Sequence, residues 1–166
     1  MQVLIKDLKN HLGETVEING WVSNLRSSGK IAFWQVRDGS GFAQAVLSSD
    51  NLNEEKWALV NSVTQESSVQ ISAEVTKHPK KEEYELQVSD LKIYQISEEW
   101  PIGNKDHGID FLMDNRHLWL RAKRQWAIQR VRNTLIQATY QYFGSHDFTK
   151  IDSPILTPNA GENTTD

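Results

Sequence analysis

The feature that most constrains this chain is a change in hydrophobic period along its length. From Thr15 to Tyr94 the apolar residues alternate as in short half-buried strands, whereas beyond Asn115 they recur every three or four residues. Val16, Ile18, Gly20 and Val22 alternate with Glu17, Asn19 and Trp21. Ser27-Ser28-Gly29-Lys30 turns the chain into Ile31–Arg37, and Asp38-Gly39-Ser40-Gly41 turns it again into Phe42–Leu47. Asn51 or Asn53 caps a short helix carrying Trp57 and Val60, with Glu54 and Glu55 at its positive end. Two further alternating strands, Ser68–Lys77 and Tyr84–Tyr94, flank the charged turn His78-Pro79-Lys80-Lys81-Glu82-Glu83.

Five strands with one helix between the third and fourth is the order of an OB-fold, a small barrel whose second and third strands and outer loops bind single-stranded nucleic acid. The expected organisation is an OB-fold over residues 1–96, a Pro- and Gly-containing linker over 97–114, and a helix followed by a strand over 115–166. In the last part, Ile128, Val131, Leu135, Ala138 and Tyr142 form an amphipathic stripe in a helix expected from Arg116 to Phe143, with Gly144 as its stop. Phe148–Leu156 reads as a strand.

Charge narrows the partners. The formal net charge of −4 argues against a uniformly basic nucleic-acid binder, yet residues 115–146 carry six Lys/Arg and no acidic residue. Polyanion contacts in residues 1–98, where fourteen Asp/Glu face ten Lys/Arg, must be local. The chain has no cysteine, which excludes disulfides and thiolate zinc sites, and its five histidines show no ligand spacing. The run Met1–Lys6 is too short for a signal peptide or membrane span, so a cytoplasmic protein is expected. Gly39-Ser40-Gly41 resembles a dinucleotide fingerprint only superficially, because Phe42–Leu47 alternates as a strand where that motif needs a helix.

Arg26, Phe33 and Gln44 come from the first three strands. An exposed aromatic stacks on an unpaired base, an amide pairs with a base edge, and an arginine holds phosphate or base. A core phenylalanine, a solvated glutamine and a surface arginine would fit the same positions.

Gly20-Trp21-Val22, Arg26, Gly29-Lys30, Phe33, Arg37-Asp38, Gly41 and Gln44, in that order, resemble the anticodon-binding domain of the class IIb aminoacyl-tRNA synthetases, the aspartyl, asparaginyl and lysyl group. Asp114-Asn115-Arg116-His117-Leu118-Trp119-Leu120-Arg121 resembles the asparaginyl branch, and the end of the chain resembles class II motif 1 with Pro154 as its proline. The resemblance implies that Phe33 stacks on the middle anticodon base, a uridine, that Gln44 pairs with its edge, and that Arg26 supports the same nucleotide. It places Glu85 near the first anticodon base, a guanine, and makes the loop Thr76–Lys81 a candidate reader of the third. Glu162 matches a glutamate that helps hold the amino-acid ammonium group, and Pro154 belongs to a homodimer interface.

The same resemblance implies a full-length enzyme that attaches asparagine to tRNA(Asn) with ATP and magnesium. Motifs 2 and 3 are not in these 166 residues, so the chain alone is expected not to activate asparagine and to bind no cofactor. An aspartyl-tRNA synthetase of relaxed specificity and a non-catalytic single-strand-binding OB module are the alternatives.

Overall fold

In a computed structural model, residues 1–79, 82–103 and 105–156 are described. The chain divides into two compact units, Met1–Gly103 and Asn104–Asp166.

The first unit is a closed barrel of five strands in the order β1-β2-β3-β5-β4. The strands are β1 (Thr15–Ser28), β2 (Ile31–Arg37), β3 (Phe42–Ser48), β4 (Ser68–Lys77) and β5 (Tyr84–Gln95), with the helix α1 (Glu54–Val60) between β3 and β4. This is the OB-fold expected from the alternation. Asn53 caps α1 by accepting from the Lys56 N–H at 2.9 Å.

Closure depends on β1, which pairs with β4 along Thr15–Trp21 and with β2 along Trp21–Ser28. Gly20 lies next to the point where the strand passes from one partner to the other. A Cβ there would lie 2.4 Å from the Arg37 carbonyl oxygen and 2.9 Å from Val36 Cγ1, so only glycine lets β1 pass so close to β2. Just beyond it the register shifts between Val22 and Asn24, leaving Ser23 as an extra residue whose hydroxyl donates to the Gln35 carbonyl at 2.8 Å.

The inward side chains of the strands are buried together: Val16, Ile18 and Val22 from β1, Ala32, Trp34 and Val36 from β2, and Ala43, Ala45 and Leu47 from β3, facing Val69, Ile71, Val75, Leu86 and Val88. Each fully buried Val, Ile or Leu contributes about 1.5–3 kcal/mol relative to exposure. Trp34 is paired in register with Ala45, a large residue opposite a small one. Ahead of β1, a 3₁₀ turn over Ile5–Asn10 buries Ile5 and Leu8 against this core. Asp38 fastens that turn to the β2–β3 loop, accepting from the N–H groups of Ile5 (2.7 Å), Ser40 (2.9 Å) and Gly41 (3.2 Å).

The second unit departs from expectation in three ways. A short helix α2 (Ile109–Asp114) occupies part of the stretch read as linker. The single helix expected from Arg116 to Phe143 is two, α3 (Arg116–Trp119) and α4 (Lys123–Gly144), because Ala122 adopts an extended backbone with ψ 143°. Leu120, Arg121 and Ala122 are good helix formers, and nothing in their propensities marks the break. Finally, Phe148–Leu156 is not a strand. A strand needs a neighbour to receive its backbone hydrogen bonds, and among the described residues none pairs with this segment.

Candidate nucleic-acid interface

The outer face of the barrel gathers the four barrel residues singled out in the sequence. Strict alternation from Val16 onward would turn Arg26 inward, like Val16, Ile18 and Val22. The extra residue Ser23 reverses that parity, so that Leu25 pairs with the inward Trp34 and Arg26 with the outward Phe33. Across β3 and β5 the same outward parity carries Gln44, opposite Gln35, and Glu85, opposite both Gln44 and Thr76.

The side chains touch in sequence. The Arg26 guanidinium carbon lies 4.7 Å from the centroid of the Phe33 ring, within cation–π range. Arg26 Nη2 donates to Gln44 Oε1 at 3.2 Å, and Gln44 Nε2 donates to Glu85 Oε1 at 2.6 Å. His78 Nε2 lies 3.5 Å from the same Glu85 oxygen. Arginine only donates and a carboxylate only accepts, so the direction of the Gln44 amide follows from its neighbours. Glu85 is 7% exposed, an acidic residue tucked under its partners, while Arg26 is exposed and Phe33 half-buried on the solvent side.

Chemically, a flat aromatic ring beside an arginine, and an amide with unused hydrogen-bonding capacity, are groups able to stack on and hydrogen-bond an unpaired base. His78 was not singled out within the loop Thr76–Lys81. The His78 N–H donates to the Glu83 carbonyl at 2.9 Å, and its ring nitrogen reaches Glu85 from a loop whose geometry the local sequence does not set. Lys80 and Lys81 of that loop, and Glu162, lie outside the described residues.

Pro154 is exposed and outside any regular element. The basic residues Arg116, Arg121, Lys123, Arg124, Arg130 and Arg132 lie on or between α3 and α4, in which no residue is buried. Arg116 and Arg130 each stack on a tryptophan, Trp119 and Trp126, at 5.6 Å. Among the described residues no group of three or more His, Asp or Glu is placed to hold a metal ion, and no helix is long and apolar enough to cross a membrane.

A nearly buried ion pair that no local sequence pattern marks lies at the end of β2. Arg37 is bonded to Glu66, with side chains 14% and 5% exposed, and the Arg37 guanidinium lies 5.1 Å from the Trp21 ring centroid. Nothing in the local sequence joins positions so far apart.

Comparison with known proteins divides the chain as the folding units do. Residues 16–94 match the family model of the OB-fold nucleic acid binding domain of the tRNA anti-codon type, and residues 108–166 match that of the class II tRNA synthetases (D, K and N). Asparaginyl-tRNA synthetase from Pyrococcus horikoshii, solved with asparaginyl-adenylate, is similar over 99% of this chain and 39% of its own, with a TM-score of 0.86 and 28% identity. The asparaginyl-tRNA synthetase of Entamoeba histolytica, also with asparaginyl-adenylate, is similar over 88% of this chain and 36% of its own, with a TM-score of 0.75 and 27% identity. Aspartyl tRNA synthetase from Entamoeba histolytica shares the fold at 20% identity, with a TM-score of 0.79 over 96% of this chain and 40% of its own. The chain therefore spans roughly two fifths of the length of these structures.

Proposed function

Because this chain belongs to the class II tRNA synthetases of the D, K and N group and carries their anticodon-binding OB domain, we propose that it is the anticodon-reading part of an asparaginyl-tRNA synthetase. The observation that carries this reading is the outward Phe33 beside Arg26, which is bonded in turn to Gln44 and through it to Glu85. In the proposal, Phe33 stacks on the middle anticodon base, a uridine, contributing about 1–3 kcal/mol, and Gln44 pairs with its edge. Arg26 supports that nucleotide, and Glu85 stands near the first anticodon base. The similarity to two asparaginyl enzymes at 27–28% identity supports asparagine over aspartate as the amino acid.

The full-length protein would join asparagine to tRNA(Asn) with ATP and magnesium. Their chemistry is assigned to no residue of this chain, and the 166 residues by themselves are proposed not to activate asparagine. Glu162 is proposed to contact the amino-acid substrate, and the segment around Pro154 to contribute to a homodimer interface. The exposed apolar residues Ile128, Val131 and Leu135 of α4 support a need for covering partners in the larger protein. A cytoplasmic location remains part of the proposal.

The test is binding of anticodon stem-loop RNA, with the middle base uridine or another base, to the native chain and to Phe33→Ala and Gln44→Ala. The native chain is expected to favour uridine and both variants to lose that preference. Equal binding in every combination would remove the reading. Activation of aspartate rather than asparagine by the full-length enzyme would assign it to the aspartyl branch. The synthetase match over residues 108–166 counts against a stand-alone binding module.

A further inference from the structure

We infer that Glu85 and Arg26 act through Gln44 as positioning residues, locking the direction of its carboxamide and so making the site choose uracil over cytosine. The inference rests on the reading that Phe33 seats an unpaired base whose edge meets Gln44.

A glutamine amide has two acceptor lone pairs on oxygen and two N–H donors. One lone pair is taken by Arg26 Nη2 at 3.2 Å and one N–H by Glu85 Oε1 at 2.6 Å. One acceptor and one donor remain, in a known order along the amide. Uracil presents N3–H beside O4, a donor beside an acceptor, and meets that pair with two hydrogen bonds. Cytosine held with the same sugar position and ring face brings N3, an acceptor, against the amide oxygen, and N4–H₂, a donor, against the amide N–H.

An unrestrained glutamine would accommodate cytosine by a half-turn of its amide. Here that half-turn places the NH₂ group against the Arg26 guanidinium and the oxygen against the Glu85 carboxylate, donor on donor and acceptor on acceptor. Both native bonds are lost, and two charged groups lose partners. Glu85 cannot readily swing aside to permit it. Its side chain is 9% exposed, paired in register between Gln44 and Thr76, and approached by His78 Nε2 at 3.5 Å on the oxygen that Gln44 uses. The carboxylate thus acts by being an obligate acceptor in a fixed place.

The experiment measures equilibrium binding of two anticodon stem-loop RNAs, identical except for uridine or cytidine in the middle position, to the full chain at one salt concentration. The native chain is expected to prefer uridine by about tenfold or more. In Glu85→Gln the residue at position 85 can donate as well as accept, the Gln44 amide is held by Arg26 alone, and the preference falls by at least about threefold from that of the native chain. Glu85→Asp keeps an acceptor-only group and retains more of the preference than Glu85→Gln. Arg26→Gln, on the exposed end of the same chain of bonds, lowers the preference independently should Glu85→Gln fail to fold, as judged by circular dichroism. A uridine preference undiminished in the folded variants overturns the lock while leaving base reading intact. A native chain with no uridine preference, or RNA binding indifferent to Phe33→Ala, overturns the underlying reading and the lock with it.

Discussion

Phe33 and Trp34 are neighbours in β2 and face opposite sides of the barrel wall, Trp34 being 1% exposed in the core and Phe33 lying beside the Arg26 guanidinium outside. Their truncations should therefore separate stability from recognition. Trp34→Ala is expected to lower unfolding stability by about 3–5 kcal/mol, since Ala45 opposite cannot fill the space, whereas Phe33→Ala should change it by less than about 1 kcal/mol. Chemical denaturation of both variants measures this. A loss at Phe33 as large as at Trp34 would mean that the ring is structural.

Gly20→Ala should destabilise the barrel by about 1–3 kcal/mol, because the new methyl would meet the Arg37 carbonyl oxygen, a backbone atom held in the β1–β2 ladder. Gly103→Ala, whose Cβ meets nothing within 4 Å, is the control and should leave the melting temperature close to native.

Arg37 and Glu66 form a nearly buried ion pair, and Glu66 also holds a left-handed backbone with φ 69°. Glu66→Ala leaves the guanidinium without its carboxylate in a poorly solvated place, and should lower stability by about 3–5 kcal/mol. The double variant Arg37→Met/Glu66→Ala should recover part of that loss, because no unpaired charge remains. A double variant as unstable as the sum of the singles would contradict this account.

Asp90 ties β5 to α1 through Lys56, and the hydrogen bond from Lys56 holds its carboxyl below the usual carboxylate value. A carboxyl lowered on folding contributes stability above its unfolded value, near pH 4, and loses it as pH falls through the lowered folded value. Both side chains are about one-third or more exposed, so solvent screening keeps the contribution below about 1 kcal/mol. Lys56→Met should therefore be slightly less stable than native at pH 7, and the difference should shrink as the pH falls below about 4, by urea midpoints. A difference that grows on acidification would be the wrong sign.

Much of the barrel can be read from the residues because strand parity is a local property. In Ile31–Arg37, Phe42–Ser48 and Ser68–Lys77 successive side chains leave opposite faces whatever the partners, so each strand offers two alternating sets; packing then decided that Trp34 lies inward and Phe33 outward, since the residue types alone also allow a core phenylalanine there. Asn53 ahead of Glu54 and Glu55 likewise marks the start of α1 through a bond three residues long. The second unit was less legible. Phe148–Leu156 has strand-like residues, but a strand also needs an external ladder, and the break at Ala122 has no local signature.

The amino-acid order by itself determined which residues are apolar, where the turns fall, and hence a five-stranded barrel with an aromatic, an amide and an arginine among its strands. Only the tertiary structure decided that they meet. Ser23 had to be extruded from β1 to bring Arg26 to the outer face, and the parallel pairing of β3 with β5 had to set Glu85 beside Gln44. Period and capping act through bonds between near neighbours, whereas a bulge, a register and a buried ion pair such as Arg37–Glu66 are settled by contacts between residues far apart in the chain.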